Sequence, residues 1–297
     1  MPPVSSSVKA SVTKVLRRLP LPLVTPVVRR RVRRLQAHDV SLGVARRQME
    51  FLLEHTRPDA DLDEVARRHL EQVVWRRELR WRPRVITRQR VHGIEHLTEG
   101  RSERDGLVLC FLHHGQFEGA FPAVKLAGGP PITTVGHPLM FDPAIPDYLA
   151  ANLRLGRMGS TPVPSTLGYA GLRDLVREGH TLGIAVDLPG RTRVRWMGRD
   201  VLGASGAARI AFETGAPVVL LTAHPTDGLV QEVRLSERLL PADHESAESL
   251  LQAILDGFAP SVLAWPEVYD WPKGKFTMLD ADGNPVPHVR EPGEPEV

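Results

Sequence analysis

A single cysteine, Cys110, stands among 297 residues. That excludes a disulfide framework and any zinc site built on cysteine. No His-Glu-x-x-His occurs, so the histidines carry no zinc signature. Long apolar runs are also missing. The best, Leu19 to Val28, has ten residues and three prolines, where a bilayer span needs about 20 apolar residues. Arg29-Arg30-Arg31 follows it in place of a small-residue cleavage site, so it does not read as a secretory signal. The nucleophile elbow Gly-x-Ser-x-Gly is absent, since Gly203-Ala204-Ser205-Gly206-Ala207 lacks the last glycine. The same stretch is no dinucleotide loop: its third glycine is missing and the segment before it makes a poor buried strand. There is no P-loop and no internal repeat.

What is present is globular in composition, with 42% hydrophobic and 25% charged residues, and long enough to bury a large core. The formal charge of +3 hides an asymmetry. Residues 1–94 hold 21 Lys/Arg against 9 Asp/Glu, and the remainder holds 17 against 26. The first 47 residues carry 11 basic groups and one acid, Asp39. Such an arm suits an anionic partner: a membrane surface, a nucleic acid or an acidic carrier protein. The plain alternative is a solvated basic surface. Arg29–Arg34 lacks the reading aromatics of a nucleic-acid module.

Val8, Val12, Val15, Leu16 and Leu19 recur at helical spacing among basic residues, which predicts a short amphipathic helix ended by Pro20, Pro22 and Pro26. Asp61 and Glu64 form a capping-box pattern that opens a helix running toward Trp81. Val85, Thr87, Gln89 and Val91 alternate as in a partly exposed strand. From there, short apolar runs at 107–112, 132–135, 182–186 and 218–221 alternate with helical stretches at 117–126, 144–155, 167–178 and 204–214, with a last helix from about 246 to 258. This predicts an α/β fold: a largely parallel central sheet flanked by helices. The expected organisation is a basic membrane-associating arm at 1–60, a catalytic domain at 61–279 and a disordered, acidic, proline-rich tail at 280–297.

One phrase concentrates the chemistry. The apolar run Leu107–Leu112 leads into His113-His114-Gly115-Gln116-Phe117-Glu118, and the end of a buried strand leading into a helix is where open α/β sheets place ligands. His113 and Glu118 have the spacing of a histidine with an orienting acid, and a carboxylate holds an imidazole in one tautomer and stabilises its protonated form. The spacing alone decides nothing, because His137 and Asp142 share it in a turn-rich loop. His114 is adjacent and points to another side. Cys110 lies inside the apolar run, where a free cysteine acts as a small hydrophobe.

Together these phrases resemble the lipid A lauroyl/myristoyl acyltransferase family, which includes phosphatidylinositol mannoside acyltransferases within the broader glycerolipid acyltransferase fold. The resemblance spans roughly residues 60–240 and is sharpest at VHGIEHL and HHGQFEG. Gln116 and Phe117 stand where the family usually has Asn and Trp. HPLMFDPAIPDYLAANLRLGRMGS resembles a family segment carrying an arginine near the reacting centre, matched by Arg157 with Arg154 as the fallback. GLRDLVREGHTLGIAVDLPG resembles a helix and a strand ending in acid, which Asp187 matches; Pro189 replaces a second acid.

The resemblance implies an acyltransferase. His113 would be the general base, oriented by Glu118, for a membrane lipid or glycolipid hydroxyl that attacks the thioester of acyl-CoA or acyl carrier protein. Gly115, His114, Arg154, Arg157 and Asp187 would contact substrate. No metal or cofactor is implied and no nucleic-acid partner is expected. Family members often carry an N-terminal anchor, which here becomes surface attachment through residues 1–47 at the cytoplasmic face of the membrane. A thioester hydrolase using the same pair on water, or a non-catalytic membrane- or nucleic-acid-binding protein, are the alternatives.

Overall fold

The computed structural model of the chain describes residues 19–102 and 104–286. Its strands are, in chain order, β1 (Val91–His92), β2 (Leu107–Phe111), β3 (Ile132–Gly136), β4 (Ser160–Pro164), β5 (Thr181–Ala185), β6 (Pro189–Trp196), β7 (Arg199–Gly203), β8 (Val218–His224), β9 (Glu232–Leu235), β10 (Thr277–Leu279) and β11 (Pro285–Val286). Its longer helices are α1 (Leu21–Gln36), α2 (Asp39–Leu53), α3 (Leu62–Leu79), α4 (Phe117–Leu126), α5 (Asp147–Gly159), α6 (Gly168–Arg177), α7 (Gly206–Thr214) and α8 (Ala247–Ala264).

The α/β reading holds. A seven-stranded sheet runs β1-β9-β8-β2-β5-β3-β4. Strands β8, β2, β5, β3 and β4 are mutually parallel, and β9 turns back antiparallel beside β8 with β1 along it. All five residues of β2 are buried, as a central parallel strand with both faces covered requires. Alternate residues serve opposite layers. Val108 and Cys110 face the cluster built with α7 and α8, while Leu107, Leu109 and Phe111 face Phe121 and Val124 of α4. Strands β11-β10-β7-β6 form a separate antiparallel sheet.

Asp61 caps α3 as its spacing predicts, its side chain accepting from the Glu64 N–H at 3.0 Å. The alternation at 85–91 misleads: Pro83–Ile86 is one helical turn and only Val91–His92 is strand. Pro83 sits in the first turn, where its missing N–H costs no bond. Thr87 and Gln89 are buried.

The proline-rich run is not broken either. Pro22 lies in the first turn of α1 and Pro26 inside it, and the helix continues to Gln36. Burial of Val24, Val28 and Val32 against Val74 and Trp75 of α3 holds it together, since packing of an apolar stripe outweighs one lost backbone bond. Arg29, Arg30, Arg31, Arg33 and Arg34 remain exposed. Met49, Phe51, Leu52 and Leu53 of α2 belong to the main core cluster, so the boundary at residue 60 is not a break in packing. The amphipathic helix read at residues 8–19 lies outside the described residues, apart from Leu19. At the other end, Asp280–Val286 forms a turn and a short strand. Asp280 caps a turn through the N–H groups of Asp282 and Asn284, and β11 pairs with β10. Residues 287–297 lie outside the described residues. No helix among the described residues is long and apolar enough to cross a membrane.

Candidate active site

Strands β2 and β5 are paired so that Phe111 lies opposite Ala185. The pairing continues one step further, with the Val186 N–H donating to the Phe111 carbonyl at 3.1 Å. Each chain then leaves the sheet at its carboxyl edge and places a polar residue two positions past the matched pair: His113 and Asp187.

These two side chains meet. His113 Nδ1 lies 2.8 Å from Asp187 Oδ1, and the His113 backbone N–H donates to Asp187 Oδ2 at 2.9 Å. Asp187 is fully buried. Burial by itself would raise its pKa, but the neighbouring His113 and its hydrogen bonds, together with Lys275, hold it below the ordinary carboxylate value. An ionised carboxylate only accepts, so Nδ1 carries a proton, and the tautomer of the neutral ring is the one whose lone pair is on Nε2. Phe117 stands edge-on to the imidazole at 5.0 Å and Phe111 is tilted against it at 6.1 Å. The His113 side chain is 24% exposed, so the ring is held on one side and open on another.

The pairing read from the sequence is thereby corrected. Glu118, in the first turn of α4, turns away from His113 toward α3. Its Oε1 accepts from Arg76 Nε at 2.9 Å and lies 3.5 Å from Arg80 Nη2. Its Oε2 has no hydrogen-bond partner among the described residues. The physical reason is competition: two partly buried guanidiniums need a carboxylate, and Glu118 supplies it, while strand register delivers Asp187 to His113. Arg76 also donates through Nη2 to Asp270 at 2.9 Å. Burial would raise the Asp270 pKa, yet Arg76 and Lys275 hold it far below the usual range. The Asp270 N–H in turn donates to the His113 carbonyl at 2.9 Å.

His114 points the other way, as its place next in the chain suggests. It is 4% exposed, its Nε2 lies 3.0 Å from the Trp265 carbonyl, and its ring meets Tyr269 edge-on at 5.8 Å. Burial drives its pKa down to about 4, so it is neutral.

Gly115 turns the chain with φ +67°, and a Cβ there would lie 2.3 Å from Gln231 Oε1 and 2.8 Å from the Ala223 Cβ. Its role is to let the turn pack tightly against Gln231 and Ala223. Gln116 and Gln231 exchange bonds, each side-chain oxygen accepting from the other's backbone N–H, at 2.6 and 3.3 Å. Arg154 and Arg157 are exposed on α5. Arg154 stacks over Trp81 at 5.9 Å. Among the described residues neither arginine is hydrogen-bonded to His113 or Asp187.

Arg76 and Asp270 are functional candidates that sequence reasoning missed. A faint signal existed: His69, Gln72, Arg76 and Arg80 fall at helical spacing beside the apolar face of α3. Asp270 had none.

No family model and no curated protein matches the chain. Among solved structures it is similar to the 1-acyl-sn-glycerophosphate (LPA) acyltransferase PlsC from Thermotoga maritima, at 13% identity over 73% of this chain and 88% of that one. The TM-score is 0.40, a likeness too loose to carry an argument about chemistry.

Proposed function

We propose that the protein is an acyltransferase that moves a fatty acyl group from the thioester of acyl-CoA or acyl carrier protein to a hydroxyl of a membrane lipid or glycolipid. The observation that carries this reading is the His113–Asp187 pair at the carboxyl edge of the parallel sheet. The resemblance of HHGQFEG to the lipid A acyltransferase family supports it independently.

In this reading His113 Nε2 takes the proton of the acceptor hydroxyl as its oxygen attacks the thioester carbon. Asp187 keeps the proton on Nδ1 and stabilises the imidazolium that forms. The tetrahedral oxyanion collapses, the carbon–sulfur bond breaks, and the imidazolium returns its proton to the leaving thiolate. A new ester remains on the acceptor. General-base assistance supplies about 10²–10⁴-fold, and positioning and charge stabilisation supply the rest. Exposed Arg154 and Arg157 are available for an anionic headgroup.

Attachment to an anionic membrane surface is part of the same proposal. On the outward face of α1, exposed Leu23 and Val27 are followed by exposed Arg30, Arg33 and Arg34, an apolar-then-basic order suited to a headgroup boundary. Binding to anionic vesicles is then reversible and salt-sensitive.

The deciding experiment incubates purified protein with acyl-CoA or acyl carrier protein and candidate acceptors extracted from a membrane, with products read by lipid mass spectrometry. An acylated lipid whose formation needs His113 is expected. Thioester cleavage at the same rate with and without acceptor would replace this reading with a hydrolase.

A further inference from the structure

Arg76 sits at the junction of three contacts that all lead to His113. Its Nε donates to Glu118 Oε1 and its Nη2 to Asp270 Oδ2, each at 2.9 Å. Its guanidinium carbon lies over the Phe117 ring, 5.1 Å from the centroid. Each partner bears on the imidazole by a different route. Phe117 presses edge-on against the His113 ring at 5.0 Å. Glu118 follows Phe117 in the first turn of α4 and so fixes where that ring stands. Asp270 donates its backbone N–H to the His113 carbonyl, holding the strand end from behind.

We infer that Arg76 is a positioning residue for His113, setting the orientation of an imidazole it does not touch. The inference rests on the reading of His113 as the general base, but its structural content can be measured without activity. The Arg76 side chain is 14% exposed and Glu118 is 3% exposed, so the contacts are shielded from water. Burial would lower the Arg76 pKa, but Asp270 and Glu118 outweigh it and raise it, so the cation persists. The geometry also selects arginine over lysine. Donors on two separate nitrogens, Nε and Nη2, reach two carboxylates while the guanidinium carbon lies over an aromatic ring, which a point-like ammonium cannot reproduce.

The test compares R76K, F117L and D270A with R68Q as a control. Arg68 lies on the same helix, with its side chain 51% exposed and only a long contact of 3.7 Å to Glu64. In histidine-labelled protein, His113 is assigned with H113Q, and its Nδ1–H and ring-carbon resonances are followed by NMR. In folded R76K the His113 resonances shift and broaden and its Nδ1–H signal weakens, while R68Q matches the wild type. With acyl transfer established, R76K lowers kcat by about 10²-fold with little change in KM. F117L moves kcat in the same direction by less.

A folded R76K with a wild-type His113 spectrum and wild-type kcat overturns the inference and leaves the proposed function standing. A wild-type protein with no acyl transfer removes the proposed function, and the spectra still decide on Arg76. Should R76K not fold, D270A removes one anchor of the Arg76 guanidinium without altering the rings around His113, and unchanged His113 resonances in folded D270A overturn the inference.

Discussion

His113 and Asp187 stand side by side because Phe111 and Ala185, two residues before each, are opposite one another in the β2–β5 ladder. The pair is a consequence of register. A slip of either strand would point one of the two side chains to the other face of the sheet.

Exchange at the two acids separates their roles. Asp187→Asn keeps the shape but removes the charge that stabilises an imidazolium, and should lower kcat by about 10²–10⁴-fold with stability largely kept. Glu118→Ala leaves Arg76 and Arg80 partly buried without their shared acid, and should cost about 3 kcal/mol in urea unfolding. Equal stabilities for the two variants would contradict this division.

Acid sensitivity should begin early. Burial holds His69 and His114 neutral down to about pH 4, whereas imidazoles of the unfolded chain take up protons near pH 6.5. Between those values the unfolded state binds more protons, so stability falls as pH is lowered from 6.5 toward 4. The loss approaches about 3 kcal/mol per ring. Urea midpoints at pH 7, 6 and 5 check this, and a flat profile would count against it.

Gly115→Ala meets three obstacles at once: positive φ, and a Cβ 2.3 Å from Gln231 Oε1 and 2.8 Å from the Ala223 Cβ. A loss of about 1–3 kcal/mol is expected, with activity reduced through the displaced His113 segment. Gln231→Ala in the same chain removes the nearer clash and should recover part of the loss, leaving the costs of φ and of the Ala223 Cβ at 2.8 Å.

Cys110 should be chemically silent. It is fully buried in β2, and burial alone pushes its thiol pKa upward, so almost no thiolate is present for alkylation. Iodoacetamide should label it only after denaturation, as mass spectrometry would show, and transfer activity should survive reagent treatment.

The chain's legibility divides along range. Apolar runs and capping residues are local, so the parallel strands, the Asp61 cap and the polar strand end at His113 could be read directly. The acid partner could not. Glu118 is near His113 in sequence, but Asp187 reaches it through pairing of β2 with β5, which no local spacing encodes. Family resemblance singled out Asp187 as a substrate contact without its role beside His113. Pro26 and the alternation at 85–91 misled for the same reason, because α1 is decided by burial against Trp75 and the second segment by Pro83.

The bonds from Asp270 to His113 and from Gly115 to Val268 tie the strand end to a segment far along the chain. During synthesis, residues 76, 113, 118 and 187 therefore emerge before their last partner exists. A nascent or truncated chain ending before residue 270 would carry the histidine and its acid without the backbone that fixes them. The setting of the site is thus among the last events of the chain's biogenesis, which keeps incomplete products without a finished centre.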